Sequence, residues 1–138
     1  MPGSIISLIF FIILALVNSQ VYSNVMSLNV LFHLLVFHVI FYKLLITDKK
    51  RLPYLIFIFI FIISVFYSLP KLTLTQAKEK VQDNHKINIV ETSTIPLVDD
   101  WNPFDSHSAY FFNGYNSKSE EVSIIVIPNI GEVIVKDQ

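Results

Sequence analysis

Apolar positions dominate the first half of the chain, and the few polar ones mark out segments. Between residues 25 and 46 only Ser27, Asn29, His33, His38 and Lys43 interrupt an apolar run. At 1.5 Å per residue such a helix reaches about 33 Å, enough to cross a bilayer core. Residues 52–69, LPYLIFIFIFIISVFYSL, hold no charge; Pro53 falls in the first turn, where its missing N–H costs nothing, and Pro70 closes the segment. The alternation of Ile and Phe has the period of a strand, but both residue types are apolar and leave no polar face for water. A membrane helix, by contrast, satisfies every backbone group internally. The first apolar run, residues 5–17, is shorter and spans only when extended to 4–22. It reads as an anchor or as a cleaved signal peptide, although no Lys or Arg precedes it as a signal sequence requires. Three spans are predicted, at about 4–22, 25–46 and 52–69.

The pattern changes at Pro70. Thr73 followed three residues later by Gln76 makes a capping box, and Leu74, Ala77 and Val81 recur at helical spacing, with Asn84 as a stop. HKINIVE then places Ile87 and Ile89 on one side of a short strand. After an irregular stretch come SAYFFNGY, EVSIIVIP and EVIVKD, three further strand-like runs separated by NSKSE and by a tight PNIG turn. A helix followed by strands predicts a small α+β domain, the helix packed on one face of an antiparallel sheet. The fold class expected is therefore three transmembrane helices, residues 1–69, plus an α+β domain, residues 70–138.

Composition sharpens that division. The chain is 53% hydrophobic, above the roughly 45–50% of soluble domains, with a mean hydropathy of +0.57. Residues 1–69 hold four basic residues and one acidic, net +3; residues 70–138 hold six Lys and ten acidic residues, net −4. The near-neutral total of −1 argues against a nucleic-acid partner, which calls for a basic face. Zero cysteines exclude disulfides, thiolate metal sites and cysteine nucleophiles.

Lys43, Lys49, Lys50 and Arg51 flank or fill the short loop between the second and third spans, where the positive-inside rule applies most directly. That loop is predicted to be cytoplasmic, against the opposing Lys71, Lys78 and Lys80 beyond the third span. The expected localisation is the cell membrane, multi-pass, with the N-terminus cytoplasmic and the C-terminal domain extracytoplasmic. Tyr22, Tyr42, Tyr54 and Tyr67 fall near the four expected interfaces.

Polar residues inside the second span are the first functional candidates. Asn29 and His33 are four apart and share a helix face; His38 and Tyr42 share another, since a spacing of five turns the histidines about 140° apart. They cannot form a two-histidine metal face. A proton relay is one reading. The other is that neutral His and Asn hydrogen-bond to the first or third helix and hold the bundle together.

The irregular stretch PLVDDWNPFDSHSAYFFNGY is too long for an ordinary hairpin connection and holds the sole Trp. Trp101, Phe104, Tyr110, Phe111 and Phe112 are candidates for a patch that docks a partner or dips into the bilayer surface; alternatively Trp101 and Phe104 cover one face of the sheet. Asp99, Asp100, Asp105 and His107 are oxygen and imidazole donors, but the spacing fits no EF-hand loop. No G-x-S-x-G turn, Gly-rich phosphate loop or H-E-x-x-H helix occurs, so neither a catalytic residue nor a cofactor is expected.

The helix start, Leu72-Thr73-Leu74-Thr75-Gln76-Ala77, and the closing IIVIPNIGEVIVKD resemble the PepSY domain. There a capped T/S-x-E-E-A helix precedes strands and a V-x-V-D-x-x-T-G-E-V hairpin. Thr73 and Ala77 match the first motif; Ile125, Ile127, Gly131, Glu132 and Val133 match the second. Thr75 and Gln76 stand in place of the acidic pair, Pro128 and Asn129 in place of the Asp-containing turn entry, and Ile130 where Thr or Ser is common. The resemblance implies a non-enzymatic extracytoplasmic module that binds or modulates another envelope protein. Its partners would be that protein and the lipid bilayer, with no small-molecule ligand identified. An accessory role in transport or proton handling through the second span, or an envelope immunity protein, are the alternatives.

Overall fold

The computed structural model describes residues 2–46, 49, 51–98 and 102–136. Three helices come first: α1, Pro2–Val21; α2, Asn29–Phe41, running on as a π-helical turn over Tyr42–Ile46; and α3, Arg51–Ser68. All three are long and apolar enough to cross a membrane, and the chain is a multi-pass membrane protein. Their buried positions form narrow stripes: Gly3, Ser7, Leu14 and Asn18 on α1; Leu31, Leu35 and His38 on α2; Phe57, Phe61 and Ser68 on α3. Spacings of three, four and seven keep each stripe on one helix face. Leu14, Met26, Leu31, Leu35 and Phe61 make the apolar centre of the bundle.

The second helix starts later than its sequence suggests. Val25 and Met26, which extend the apolar run, belong to the α1–α2 loop. Asn18 holds that loop: its side-chain amide donates to the Met26 carbonyl at 3.3 Å, and its Oδ1 accepts from the Met26 N–H at 3.0 Å. Ser23 and Asn24 turn the chain through left-handed backbone, φ 50° and 64°.

The C-terminal part has helix α4, Leu74–His85, and strands β1, Asn88–Pro96; β2, Ser108–Tyr115; β3, Glu121–Ile127; and β4, Glu132–Lys136. The capping box at Thr73 is present, with Thr73 Oγ1 accepting from the Gln76 N–H and Gln76 Oε1 accepting from the Thr73 N–H. The helix ends where Lys86 enters the left-handed region at φ 51°, one residue past the predicted stop. The strands form an antiparallel meander in the order β1-β2-β3-β4. The first strand is longer than its sequence suggests, because ETSTIP continues the pairing with β2 beyond a bulge at Ile89/Glu91. As an edge strand open to water it lacks the apolar alternation by which a strand is recognised.

Helix α4 packs on one face of the sheet. Ala77, Val81, Ile87, Tyr110, Phe112, Ile124 and Val126 form the core, and the eighth member is Val25, delivered by the α1–α2 loop. Consecutive loop residues thus enter different interiors, Val25 that of the sheet domain and Met26 that of the bundle, while Tyr22 packs against both. The sheet domain and the α1–α2 loop therefore share one end of the bundle. The α2–α3 loop, with Lys49, lies at the other.

Candidate functional site

Two polar constellations stand out, one inside the bundle and one at its junction with the sheet domain. In the first, His38 touches all three membrane helices. Its Nδ1 lies 2.7 Å from Ser7 Oγ of α1 and its Nε2 lies 2.8 Å from Tyr54 Oη of α3. A neutral imidazole donates from one nitrogen and accepts at the other, so these two hydroxyls saturate the ring. Tyr42 packs edge-on against Tyr54 with ring centroids 5.9 Å apart, and also against His38 at 6.0 Å. Gly3 makes room for Tyr42: a Cβ there would fall 2.7 Å from the ring. The cluster lies toward the α2–α3 end of the bundle: His38 sits one turn before the π-helical segment, Tyr42 opens that segment and Tyr54 is in the first turn of α3; such π-helical turns are frequent at functional sites.

His33 is placed differently. It is exposed on the bundle surface, and its Nδ1 bonds to the carbonyl oxygen of Asn29 at 2.8 Å. The structure therefore joins Asn29 to His33 and separates both from His38. Lys49 and Arg51 are exposed at the far end of the bundle; Lys50 lies outside the described residues.

The second constellation fastens the sheet domain to the bundle. Ser27 Oγ donates to the Pro103 carbonyl at 3.0 Å and also lies 3.0 Å from His107 Nε2. With its single proton given to Pro103, Ser27 accepts from His107, which places a proton on Nε2. Tyr110 Oη is within reach of two carbonyls, Tyr22 at 3.3 Å and Leu72 at 3.2 Å, one on each chain segment leaving the membrane helices. Burial above all, and secondarily the neighbouring Tyr22 phenol, push the Tyr110 phenol well above its ordinary value of 10.0. The turn between β3 and β4 completes the junction. Asn129 donates to Asp105 at 2.7 Å and accepts from Ser106 at 2.7 Å, while the Leu72 N–H donates to the Pro128 carbonyl and Lys80 Nζ to the Gly131 carbonyl.

The predicted aromatic patch does not form as a surface. Tyr110 and Phe112 are fully buried in the core, so neither reaches a partner while the sheet is folded. Period-two alternation puts these two on one side of β2 and Phe111 on the other, and the sequence does not reveal which side α4 covers. Phe104 is half-buried and lines a cleft between the loop and the end of α3. Trp101, with Asp99 and Asp100, lies outside the described residues. Among those described, Asp105 and His107 have no third donor beside them to make a metal-ligating group; Asp105 is bonded to Asn129 and His107 to Ser27.

Sequence reasoning missed Ser7, Asn18, Val25, Ser27 and Asn129. Ser7 and Asn18 carried a signal, being polar residues in an apolar segment at the spacing of one helix face. For Val25, Ser27 and Asn129 there was none, because their partners are remote in sequence. Comparison with models of protein families, with curated proteins and with solved structures finds no match for this chain.

Proposed function

We propose that this protein is a non-enzymatic membrane-anchored module whose sheet domain, held outside the cytoplasmic membrane, binds or modulates another envelope protein. The observation that carries the reading is the sheet face turned away from α4. There Phe111, Ile125 and Ile134 occupy one register row, with Ile95 paired to Ala109 beside them. Ile134 is exposed and the others are half-buried or screened by neighbours, and neither hydrophobic core includes any of them. A row of partly exposed apolar side chains outside both cores is a surface on which a partner could complete the burial. The capped helix followed by an antiparallel sheet supports kinship with PepSY-like modules. The basic α2–α3 loop, at the opposite end from the sheet, supports the orientation.

A photo-crosslinking residue at Ile125, compared with one at Lys78 on the water-facing side of α4, tests this in intact membranes. The expected result is a discrete adduct from position 125 that Ile134→Glu abolishes. Equal labelling from both positions, or none, overturns the reading. Reporter fusions after residue 47 and after residue 138 test the orientation: the first is expected inside the cell and the second outside.

The Ser7–His38–Tyr54 chain favours a second reading, an accessory role in proton handling. His38→Leu separates the two. Loss of a proton-coupled activity with the bundle still assembled supports the relay, whereas reduced bundle stability alone marks the network as structural glue.

A further inference from the structure

Where α3 ends, a cleft of about 600 Å³ opens between the membrane helix and the sheet domain. That volume falls within the roughly 300–1,000 Å³ of small-molecule sites. Its walls are of two kinds. Phe66 and Tyr67, in the last turn of α3, together with Phe104, form an apolar side. Phe66 and Tyr67 are also among the most exposed residues of the bundle, so this side continues onto the lipid-facing surface. Lys71 and Asp105 supply one cation and one anion to the polar side.

These two charges are not spent on each other. Among the described residues Lys71 makes no ion pair or side-chain hydrogen bond. Asp105 Oδ1 is bonded to Asn129 at 2.7 Å, which fixes the carboxylate through an amide that is itself held by Ser106 at 2.7 Å. The cleft therefore joins an exposed apolar side at the end of a membrane-spanning helix to a polar side that carries one cation and one anion not paired with each other.

We infer that the cleft binds a zwitterionic phospholipid with a primary ammonium head, phosphoethanolamine in type. The phosphate lies against Lys71, the ammonium against Asp105, and one acyl chain along Phe66 and Tyr67. A lone cation would favour any anionic lipid; the paired carboxylate selects a headgroup that can donate N–H, which a quaternary choline cannot. The inference does not depend on which side of the membrane the sheet occupies.

The test is native mass spectrometry of the purified full chain, equilibrated with an equimolar mixture of ethanolamine, choline and glycerol phospholipids bearing identical acyl chains. The ethanolamine lipid is expected to be retained about tenfold over the choline lipid, the ratio that corresponds to about 1.4 kcal/mol. Lys71→Gln and Asp105→Asn are each expected to erase that preference; the second keeps an oxygen to accept from Asn129, and circular dichroism verifies the fold. The wild-type preference tests the inference without any substitution. Equal retention of ethanolamine and choline lipids overturns it. Preferential retention of the glycerol lipid, lost in Lys71→Gln but not in Asp105→Asn, also overturns it and leaves a simple anion site.

Discussion

The membrane bundle and the sheet domain expose different kinds of side chain and bury different mixtures. In the bundle many large apolar side chains face outward, Tyr67 at 75% exposure and Leu52 at 70%, while the polar Ser7 and His38, each at 6%, share the interior with Leu31 and Phe61. In the sheet domain the large aromatic side chains of β2 go inside, Tyr110 at 0% and Phe112 at 1% exposure. The difference follows from the solvent. Lipid tails are as apolar as leucine, so burying an apolar side chain between membrane helices gains little, and the helices are held by close packing at small residues and by polar groups that have no better partner in hydrocarbon. In water the gain comes from removing apolar area, about 25 cal/mol per Å². One 138-residue chain obeys both rules and joins them at Val25 and Met26.

The sharpest way to break this contrast is to truncate one phenylalanine in each region. Phe112→Ala is expected to cost about 3–5 kcal/mol, read from denaturant unfolding of the full chain in detergent followed by far-ultraviolet circular dichroism. Phe59→Ala, on the lipid-facing side of α3, is expected to stay within about 0.5 kcal/mol. Equal costs would end the distinction.

Gly114→Ala should come next, at about 1–3 kcal/mol. The added methyl would meet the Asn88 carbonyl oxygen and crowd Ile87, and a backbone oxygen in the β1–β2 ladder cannot step aside. The expected readout is a lower unfolding midpoint of the sheet domain, with the bundle unchanged.

Inside the bundle, a double-mutant cycle of Ser7→Ala and His38→Leu is expected to give a coupling of about 0.6 kcal/mol and no more than about 1.7 kcal/mol. A larger value would place the dominant stabilisation of the bundle in this network.

The pH dependence distinguishes the junction. The buried Tyr110 phenol titrates above its ordinary 10.0, so the native state favours the neutral form. Its contribution to stability is complete below a pH of about 10 and is lost as pH rises through the raised native value. The wild-type unfolding temperature should fall above that pH. Tyr110→Phe, less stable at neutral pH by about 1 kcal/mol for the lost hydrogen bonds, should fall less steeply. The smallest effect is expected at Ser68, whose buried hydroxyl has no hydrogen-bond partner among the described residues. Ser68→Ala should be neutral or slightly stabilising, since it removes a desolvated group without stranding another.

The three membrane helices, the capped α4 and the strands β2 to β4 were readable along the chain. Each is decided by neighbours a few residues apart: an unbroken apolar run, the Thr73–Gln76 box, and apolar alternation closed by a turn. Strand β1 was only half readable, because an edge strand facing water has no apolar period to display. The start of α2 was misplaced because Val25 and Met26 are as apolar as the helix they precede.

What the linear chain could not disclose was which side of each element faces which partner. Phe111 and Phe112 differ by one position and not at all in chemistry, yet one lies in the core and the other on the open face, because α4 covers a single side of the sheet. His38 and His33 look alike in sequence; only helix packing sets one between Ser7 and Tyr54 and leaves the other at the surface. Local periodicity follows from backbone geometry and is written in adjacent residues. The junction rests on contacts such as Ser27 with His107 and Tyr110 with Tyr22, separated by 80 and 88 positions, and these form only when the bundle and the sheet bury a common loop.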